Sequence, residues 1–157
     1  QILKSPLMME LKQIIDHSGI SCSGIIVELT ESGYLEGTPA ARSVWNDMKK
    51  LRIQIALDDF GTGYSNLMNI SNLEPDIVKL DRGFTLKALS RSYEYQLMQY
   101  VIEMVHKLNQ YVCVEGVETK EDLEKIKALG PDLIQGYYYS KPCSRDEFLK
   151  KFFGYSE

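Results

Sequence analysis

Two consecutive carboxylates, Asp58 and Asp59, lie between an apolar run at 53–57 and a loop that contains Gly61 and Gly63. The run alternates and is β-branched, which predicts a buried strand. Two acidic groups at the mouth of a buried strand repel each other and are costly to desolvate, so they need a positive group between them, usually a divalent cation. The two glycines let the backbone turn sharply or approach a ligand. The alternative interpretation is an acidic turn that caps the next helix.

Polar residues follow other apolar runs in the same way. Glu28, Lys79, Glu115 and Gln135 each lie at or near the C-terminal end of a different run. The C-terminal ends of strands converge on one mouth in a closed barrel, whereas ligands of an open sheet gather at one switch point. The distribution over five strands therefore favours a barrel.

The elements that position these residues alternate along the chain. Strands are predicted at 24–31, 53–57, 76–81, 111–115 and 132–136, with 137–140 as a candidate sixth strand, and helices at 7–17, 38–51, 93–108, 119–129 and 144–153. The strands are apolar nearly throughout, which predicts an α/β fold with a parallel sheet covered by helices.

Taken as one site, the polar set contains four carboxylates, one ammonium and one amide. Oxygen ligands without a histidine or cysteine cluster indicate Mg²⁺ or Mn²⁺ rather than zinc or iron. Two such ions would clamp a phosphodiester; Lys79 would neutralise phosphate charge, and Glu115 would accept a proton from water. His17 and His106 both fall in helical patterns and are interpreted as surface or packing residues.

Structural alternatives exist for the same residues. Glu28 could pair with a lysine at the end of the sheet, Lys79 with Asp81, and Glu115 could cap the following helix. The residues alone also leave open an unrelated Mg²⁺-dependent barrel that acts on a small phosphorylated substrate.

Composition limits the classes of function. The 157 residues are 44% hydrophobic and 25% charged with a net charge of −4, which is typical of one soluble domain. There is no basic run, so binding to duplex nucleic acid is not expected. Three widely spaced cysteines without a CxxC pair fit a reducing cytoplasm. No apolar run approaches the ~20 residues of a membrane span, so no direct membrane insertion by this segment is expected.

Five segments of the chain match a known family in its order. They are ELTES at 28–32, DDFGTGYS at 58–65, VKLD at 78–81, EGVET at 115–119 and QGYYYSKP at 135–142. Together they resemble the EAL domain, a cyclic di-GMP phosphodiesterase, over nearly the whole chain.

The resemblance implies a TIM-like (β/α) barrel that hydrolyses cyclic di-GMP to linear pGpG with two Mg²⁺ or Mn²⁺ ions. By this resemblance Glu28, Asp58 and Asp59 are metal ligands. Lys79 and Glu115 hold and deprotonate the attacking water, and Gln135 supports the water and metal shell. The resemblance also implies that Glu31 steadies the loop after Asp59 and that Asp81 and Glu118 are further polar positions of the pocket.

One departure from the family pattern is serious. The Glu-Ala-Leu signature, its nearby substrate-contacting arginine and a metal-binding asparagine are absent, because they lie upstream of Gln1 in the family. Residues 1–157 are therefore expected to be a partial EAL domain, the C-terminal three-quarters of the barrel, with about six of the eight strands. The open barrel would expose strand edges and apolar surface, so the chain is expected to self-associate and to be inactive alone.

The resemblance also bears on partners and location. Members of the family are often joined to GGDEF or sensory domains, and the expected location is cytoplasmic, with a parent protein that can be membrane-tethered. The alternative function is a catalytically inactive EAL domain that serves as a cyclic di-GMP receptor or protein-interaction scaffold. Every motif downstream of the missing region is intact, which favours an active parent.

Overall fold

The computed structural model describes residues 6–30, 39–62, 70 and 73–154 as a succession of strands and helices. The strands are β1 (Ile26–Thr30), β2 (Gln54–Phe60), β3 (Ile77–Leu80), β4 (Tyr111–Glu115) and β5 (Leu133–Gln135). The helices are α1 (Pro6–Ser18), α2 (Pro39–Lys50), α3 (Arg82–Ser90), α4 (Ser92–Lys107), α5 (Lys120–Lys127) and α6 (Arg145–Phe153). None of the helices in the described ranges is long and apolar enough to cross a membrane.

The five strands form one sheet in the order β1-β2-β3-β4-β5, and every neighbouring pair is parallel. Parallel strands need a crossover between them, and described helices supply it between β1 and β2, β3 and β4, and β4 and β5. The predicted α/β fold with a parallel sheet is confirmed. Because all strands run the same way, their C-terminal ends lie along one edge of the sheet.

The two faces of the sheet are covered to different extents. One face carries the main core, in which Ile55, Leu57, Val78 and Val112 pack with apolar side chains of the helices. Within the described residues, the apolar core of the opposite face, which we call the open face, is a small buried cluster of Ala56, Ile77 and Cys113. Its apolar residues near the sheet edges, Ile26, Tyr111 and Leu133, are about half exposed. Burial of apolar surface on the helix-covered face therefore supplies most of the stabilisation.

Helix starts are fixed by side chains that accept from free backbone N–H groups. Thr119 and Asp122 form a capping box at the start of α5: the Asp122 N–H donates to Thr119 Oγ1 at 3.1 Å, and the Thr119 N–H donates to Asp122 Oδ2 at 3.0 Å. Ser144 and Glu147 form a second capping box at the start of α6. These caps set where the helices begin relative to the strands before them.

At the N-terminal ends of the strands, two aspartates repeat one arrangement. Asp76 Oδ2 accepts from the Ile55 N–H at 2.8 Å, just before β3, and Asp132 Oδ2 accepts from the Val112 N–H at 2.8 Å, just before β5. In each case the aspartate N–H also donates to the carbonyl oxygen of that same residue of the neighbouring strand. Each aspartate thus fixes the starting register of its strand.

Three features differ from the sequence-based expectation. The candidate sixth strand at 137–140 is wrong, because Tyr137, Tyr138 and Tyr139 form a turn, so the described residues contain five strands. Strand β2 continues through Asp58 and Asp59 to Phe60 instead of ending at 57. Helix α3 was not anticipated, because its amphipathic period is weak.

Candidate functional site

The acidic pair lies in a bulge of β2. The pairing of β2 with β3 shifts register between Leu57 and Phe60, and Asp59 has a left-handed backbone with φ of 61°. A regular strand would send adjacent side chains to opposite faces, so that one aspartate would enter the core. The bulge re-aims the strand, and Asp59 stays exposed while Asp58 is half-buried.

A buried lysine supplies the positive charge that the acidic pair requires. Lys79, on β3, is only 5% exposed. Its Nζ lies 2.9 Å from Glu28 Oε1, 3.0 Å from Asp58 Oδ1 and 2.7 Å from Glu115 Oε1. Four neighbouring strands, β1 to β4, thus each place one of these side chains at the same point. The alternative pairing of Lys79 with Asp81 does not occur, since Asp81 Oδ1 instead accepts from the Gly83 N–H at 2.7 Å and caps α3.

The electrostatics of this cluster follow from the short contacts. Burial opposes the charge on Lys79, but the contacts with Glu115, Glu28 and Asp58 outweigh it, so the pKa of Lys79 is raised. Burial, together with the charges of Asp58 and Asp81, raises the pKa of Asp59. The cluster therefore holds a fixed ammonium among carboxylates, and the ionised form of the neighbouring Asp59 is destabilised.

The buried oxygen of Asp58 is held by an ion pair. Asp58 Oδ1 is buried and accepts no hydrogen bond of good geometry within the described part of the chain, although the Lys79 ammonium lies 3.0 Å away as an ion-pair partner. In the ranges that the structure describes, no three acidic, histidine or cysteine side chains are gathered as a ready-made metal site. The oxygen donors fit a hard divalent cation in chemistry, but such a cation must take carboxylates from Lys79.

A cavity of about 370 Å³ opens beside the lysine cluster. Glu115 belongs to both, and the remaining lining residues are Arg82, Gly116, Glu118, Gln135, Gly136 and Tyr137. Glu115 and Gln135 are direct neighbours in the ladder between β4 and β5. The structure therefore brings the predicted residue Gln135 to the same place as Glu115, and Glu118 to the wall of the same cavity.

Arg82 was missed by sequence reasoning. Its Nε and Nη2 donate to Glu118 Oε1 at 3.2 and 2.7 Å, and Glu118 raises the pKa of Arg82. The available signal was a basic residue immediately after a strand whose end already carried Lys79. Glu31, predicted to steady the loop after Asp59, lies outside the described residues.

Two other groups have structural roles. Burial, assisted by the charge of Glu115, raises the pKa of the Cys113 thiol to about 11, so this cysteine stays protonated and is a poor nucleophile. His106 Nε2 lies 2.8 Å from Asp132 Oδ2, at the opposite end of the sheet from the cluster. The interpretation of His106 as a packing residue therefore agrees with its position.

Comparison with known proteins identifies the family. The EAL domain family matches residues 1–142. Cyclic di-GMP phosphodiesterase NbdA of Pseudomonas aeruginosa is 28% identical over 152 residues, which cover 95% of this chain and 19% of NbdA. This chain thus spans about a fifth of the length of that relative.

Solved structures agree with this family. The EAL enzyme Bd1971, in its form with cAMP and cyclic di-GMP bound, matches with a TM-score of 0.88 and 30% identity over 95% of this chain and 39% of that chain. A manganese and cyclic di-GMP complex of BlrP1 from Klebsiella pneumoniae matches with a TM-score of 0.83 and 26% identity over 89% of this chain and 36% of that chain. The sheet of this chain is accordingly part of a TIM-like barrel, and the chain belongs to the EAL domain family.

Proposed function

We propose that this chain is the larger part of the catalytic domain of a metal-dependent cyclic di-GMP phosphodiesterase, which hydrolyses cyclic di-GMP to linear pGpG. The observation that carries the proposal is the convergence of Glu28, Asp58 and Glu115 on the buried Lys79 at the C-terminal ends of β1 to β4. In TIM-like barrels that edge is where the chemistry takes place. The names of the relative NbdA and of the complexes of Bd1971 and BlrP1 support the substrate.

Divalent cations complete this proposal. Glu28, Asp58 and Asp59 would hold Mg²⁺ or Mn²⁺, two ions in the complete domain, and the meeting of the Glu28 and Asp58 carboxylates at one point of the strand ends supports this assignment. Bound divalent ions polarise a phosphodiester and lower the pKa of a bound water. The manganese complex of BlrP1 supports a divalent cation of this kind.

The residues of this chain would then do the following. Glu115, at 2.7 Å from Lys79 Nζ, accepts the proton of the attacking water, while Lys79 orients that water and balances phosphate charge. Attack on phosphorus breaks one P–O bond of the ring, and the departing oxygen ends as a hydroxyl group. Gln135, beside Glu115 in the cavity, supports the water and metal shell, and Glu118 and Asp81 are further polar positions of the pocket.

We further infer that this chain self-associates, that its parent protein carries other domains, and that it is located in the cytoplasm. The exposed open face and sheet edges support self-association of this chain. The much greater length of NbdA supports a parent protein that carries GGDEF or sensory domains as well. A domain that acts on a bacterial second messenger would be located in the cytoplasm, where this messenger is made.

The test is hydrolysis of cyclic di-GMP with Mg²⁺ or Mn²⁺. It uses this chain and a version extended at its N-terminus by about 70 residues of the natural sequence, which corresponds to about three elements of the barrel. We expect the extended version to produce pGpG and Glu115→Ala to abolish that production. Glu103→Ala, which removes an exposed glutamate of α4, is the matched control and should leave turnover unchanged.

Two outcomes would contradict the proposal in different ways. Tight binding of cyclic di-GMP by the extended version without turnover would identify a receptor or an interaction scaffold. If the extended version neither bound nor hydrolysed cyclic di-GMP, the remaining interpretation would be a barrel that acts on another phosphorylated substrate.

A further inference from the structure

We propose that Arg82 is a positioning residue whose ion pair with Glu118 braces the ends of β3 and β4 and thereby holds Lys79 against Glu115. This inference rests on the proposed function and concerns a residue outside the set that performs the chemistry. It assigns a role to the arginine that lines the cavity beside Glu115.

The Arg82–Glu118 ion pair joins the segments that follow β3 and β4, beyond the last backbone pairing of these two strands. The ladder between β3 and β4 ends at the pair Leu80–Val114. Arg82 follows two residues after Leu80, and Glu118 four residues after Val114. Both Nε and Nη2 of Arg82 donate to Glu118 Oε1. The ion pair therefore connects the two chains where backbone pairing has stopped.

The backbone around the pair is fitted to this contact. Gly116, directly after Glu115, has φ of +79°, and a Cβ at that position would lie 2.4 Å from Arg82 Cγ and 3.1 Å from Arg82 Cα. The following N–H, of Val117, donates to the Gln135 carbonyl oxygen at 3.3 Å. The turn after Glu115 is thus seated against Arg82 on one side and β5 on the other.

The Arg82–Glu118 pair lies close in sequence to two residues of the site, Lys79 and Glu115. Lys79 lies three residues before Arg82, and Glu115 lies three residues before Glu118. The contact of 2.7 Å between Lys79 Nζ and Glu115 Oε1 is the shortest of the three ion-pair contacts of Lys79. A shift of the turn after β4 would move Glu115 away from Lys79, and misplacement of a catalytic group by about 1 Å is enough to cost about a hundredfold in rate.

Global stability is a poor explanation for this pair. The side chains of Arg82 and Glu118 are 59% and 39% exposed, and exposed ion pairs contribute little to the free energy of unfolding. Other exposed pairs, such as Lys125–Glu121, join residues of a single helix, whereas Arg82 and Glu118 are 36 positions apart. The pair should therefore act on local geometry more than on folding.

The experiment is a double-mutant cycle on the N-terminally extended version, with kcat and KM for cyclic di-GMP at saturating Mn²⁺. The variants are Arg82→Met, Glu118→Gln, the two combined, and the charge swap Arg82→Glu with Glu118→Arg. Arg91→Met is the matched control, since Arg91 Nη1 also lies 3.1 Å from a glutamate oxygen and its side chain is 68% exposed.

We expect each single variant to lower kcat about tenfold with KM within about twofold, the double variant to be no slower than the slower single, and the swap to recover most of kcat. The brace would be overturned if the losses of the two single variants were additive, or if KM rose without a loss of kcat. It would equally be overturned if the swap did not recover kcat, or if Arg82→Met had no larger effect than Arg91→Met.

Amide hydrogen exchange keeps the inference separate from the proposed function. Arg82→Met and Glu118→Gln should speed exchange at Val117 in the folded chain, whereas Arg91→Met should not. This readout needs no turnover, so a protein without phosphodiesterase activity would refute only the proposed function. Unchanged exchange at Val117 would overturn the brace whatever the activity.

Discussion

At the scale of single residues, the site is organised around one buried ammonium. A lysine is almost never fully buried unless it is paired, and Lys79 is paired with Glu28, Asp58 and Glu115 at once. Three carboxylates and one ammonium leave a net negative charge at the strand ends. That charge explains why the arrangement suits a divalent cation.

Removal of Lys79 should therefore cost stability as well as activity. Lys79→Met leaves Glu28, Asp58 and Glu115 facing one another without a counter-ion, and breaking a buried ion pair from one side costs about 3 kcal/mol. We expect a loss of about that size in the free energy of unfolding, measured by urea denaturation at neutral pH. Lys87→Met, which removes an exposed lysine of α3, is the control. Equal effects of the two variants would show that Lys79 is not the counter-ion of the cluster.

Asp59 should show the opposite relation between stability and activity. Its backbone is left-handed, and burial and its acidic neighbours raise its pKa, so both its conformation and its charge are unfavourable at neutral pH. Asp59→Gly should raise the free energy of unfolding by about 0.5–1 kcal/mol. Asp59→Asn keeps the shape without the charge and isolates the electrostatic part.

The functional half of this prediction concerns turnover. If Asp59 holds a cation, both variants lose phosphodiesterase activity in the extended version while gaining or keeping stability. A stabilised Asp59→Gly variant that retained full turnover would exclude Asp59 as a ligand.

Residue types and strand ends predicted much of this site. Carboxylates after apolar runs indicated Glu28, Asp58 and Glu115. The positive group expected between the carboxylates was a divalent cation, whereas the structure places Lys79 there. The bulge at Asp59 was not predictable, because a one-residue register shift leaves no mark on the apolar pattern. Arg82 was not predictable either, since its partner Glu118 lies 36 positions away and only the fold brings them together.

At the scale of elements, Asp132 connects the start of β5 to β4. It accepts from the Val112 N–H and from His106 Nε2, each at 2.8 Å. Burial opposes its ionised form, but the hydrogen bonds from Val112 and His106 outweigh burial, so the pKa of Asp132 is lowered. A carboxylate with a depressed pKa stabilises the fold above its unfolded-state pKa, and that stabilisation is lost as the pH falls through the folded-state value.

Asp132→Asn should accordingly make stability less sensitive to acid. We expect the variant to be less stable than the wild type by about 1 kcal/mol at neutral pH, with the difference shrinking as the pH falls below about 4. Urea unfolding at a series of pH values measures this, with the exposed Asp146→Asn of α6 as the control. A difference that stayed constant with pH would mean that the Asp132 charge does not support the strand start.

Elements with a strong pattern were predictable, and those whose pattern is weak were not. The apolar runs at 53–57, 76–81 and 111–115 predicted β2, β3 and β4. Helix α3 escaped because its buried residues Phe84, Thr85 and Ala88 mix polar and apolar types. The three tyrosines at 137–139 favour a strand by propensity, but backbone hydrogen bonds, including that from the Tyr138 N–H to the Val117 carbonyl oxygen at 3.0 Å, hold them in a turn.

At the scale of the whole molecule, the open face is the main feature that the individual elements do not explain. Ile26 on β1 and Leu133 on β5 are each 46% exposed, and Tyr111 between them is 55% exposed. In the described residues, β1 and β5 each pair with one strand. A parallel sheet is normally covered on both faces, so this face carries a drive toward association.

Self-association of this chain is therefore the prediction at this scale. Light scattering at increasing concentration should give a mass above that of a monomer. Leu133→Glu should lower that mass, because a charge on the open face opposes burial of the face. Leu86→Glu is the matched control, since Leu86 is 43% exposed but belongs to α3 rather than to the sheet. A monodisperse monomer with a single cooperative unfolding transition would contradict the prediction, and an equal effect of the two variants would show that another surface drives association.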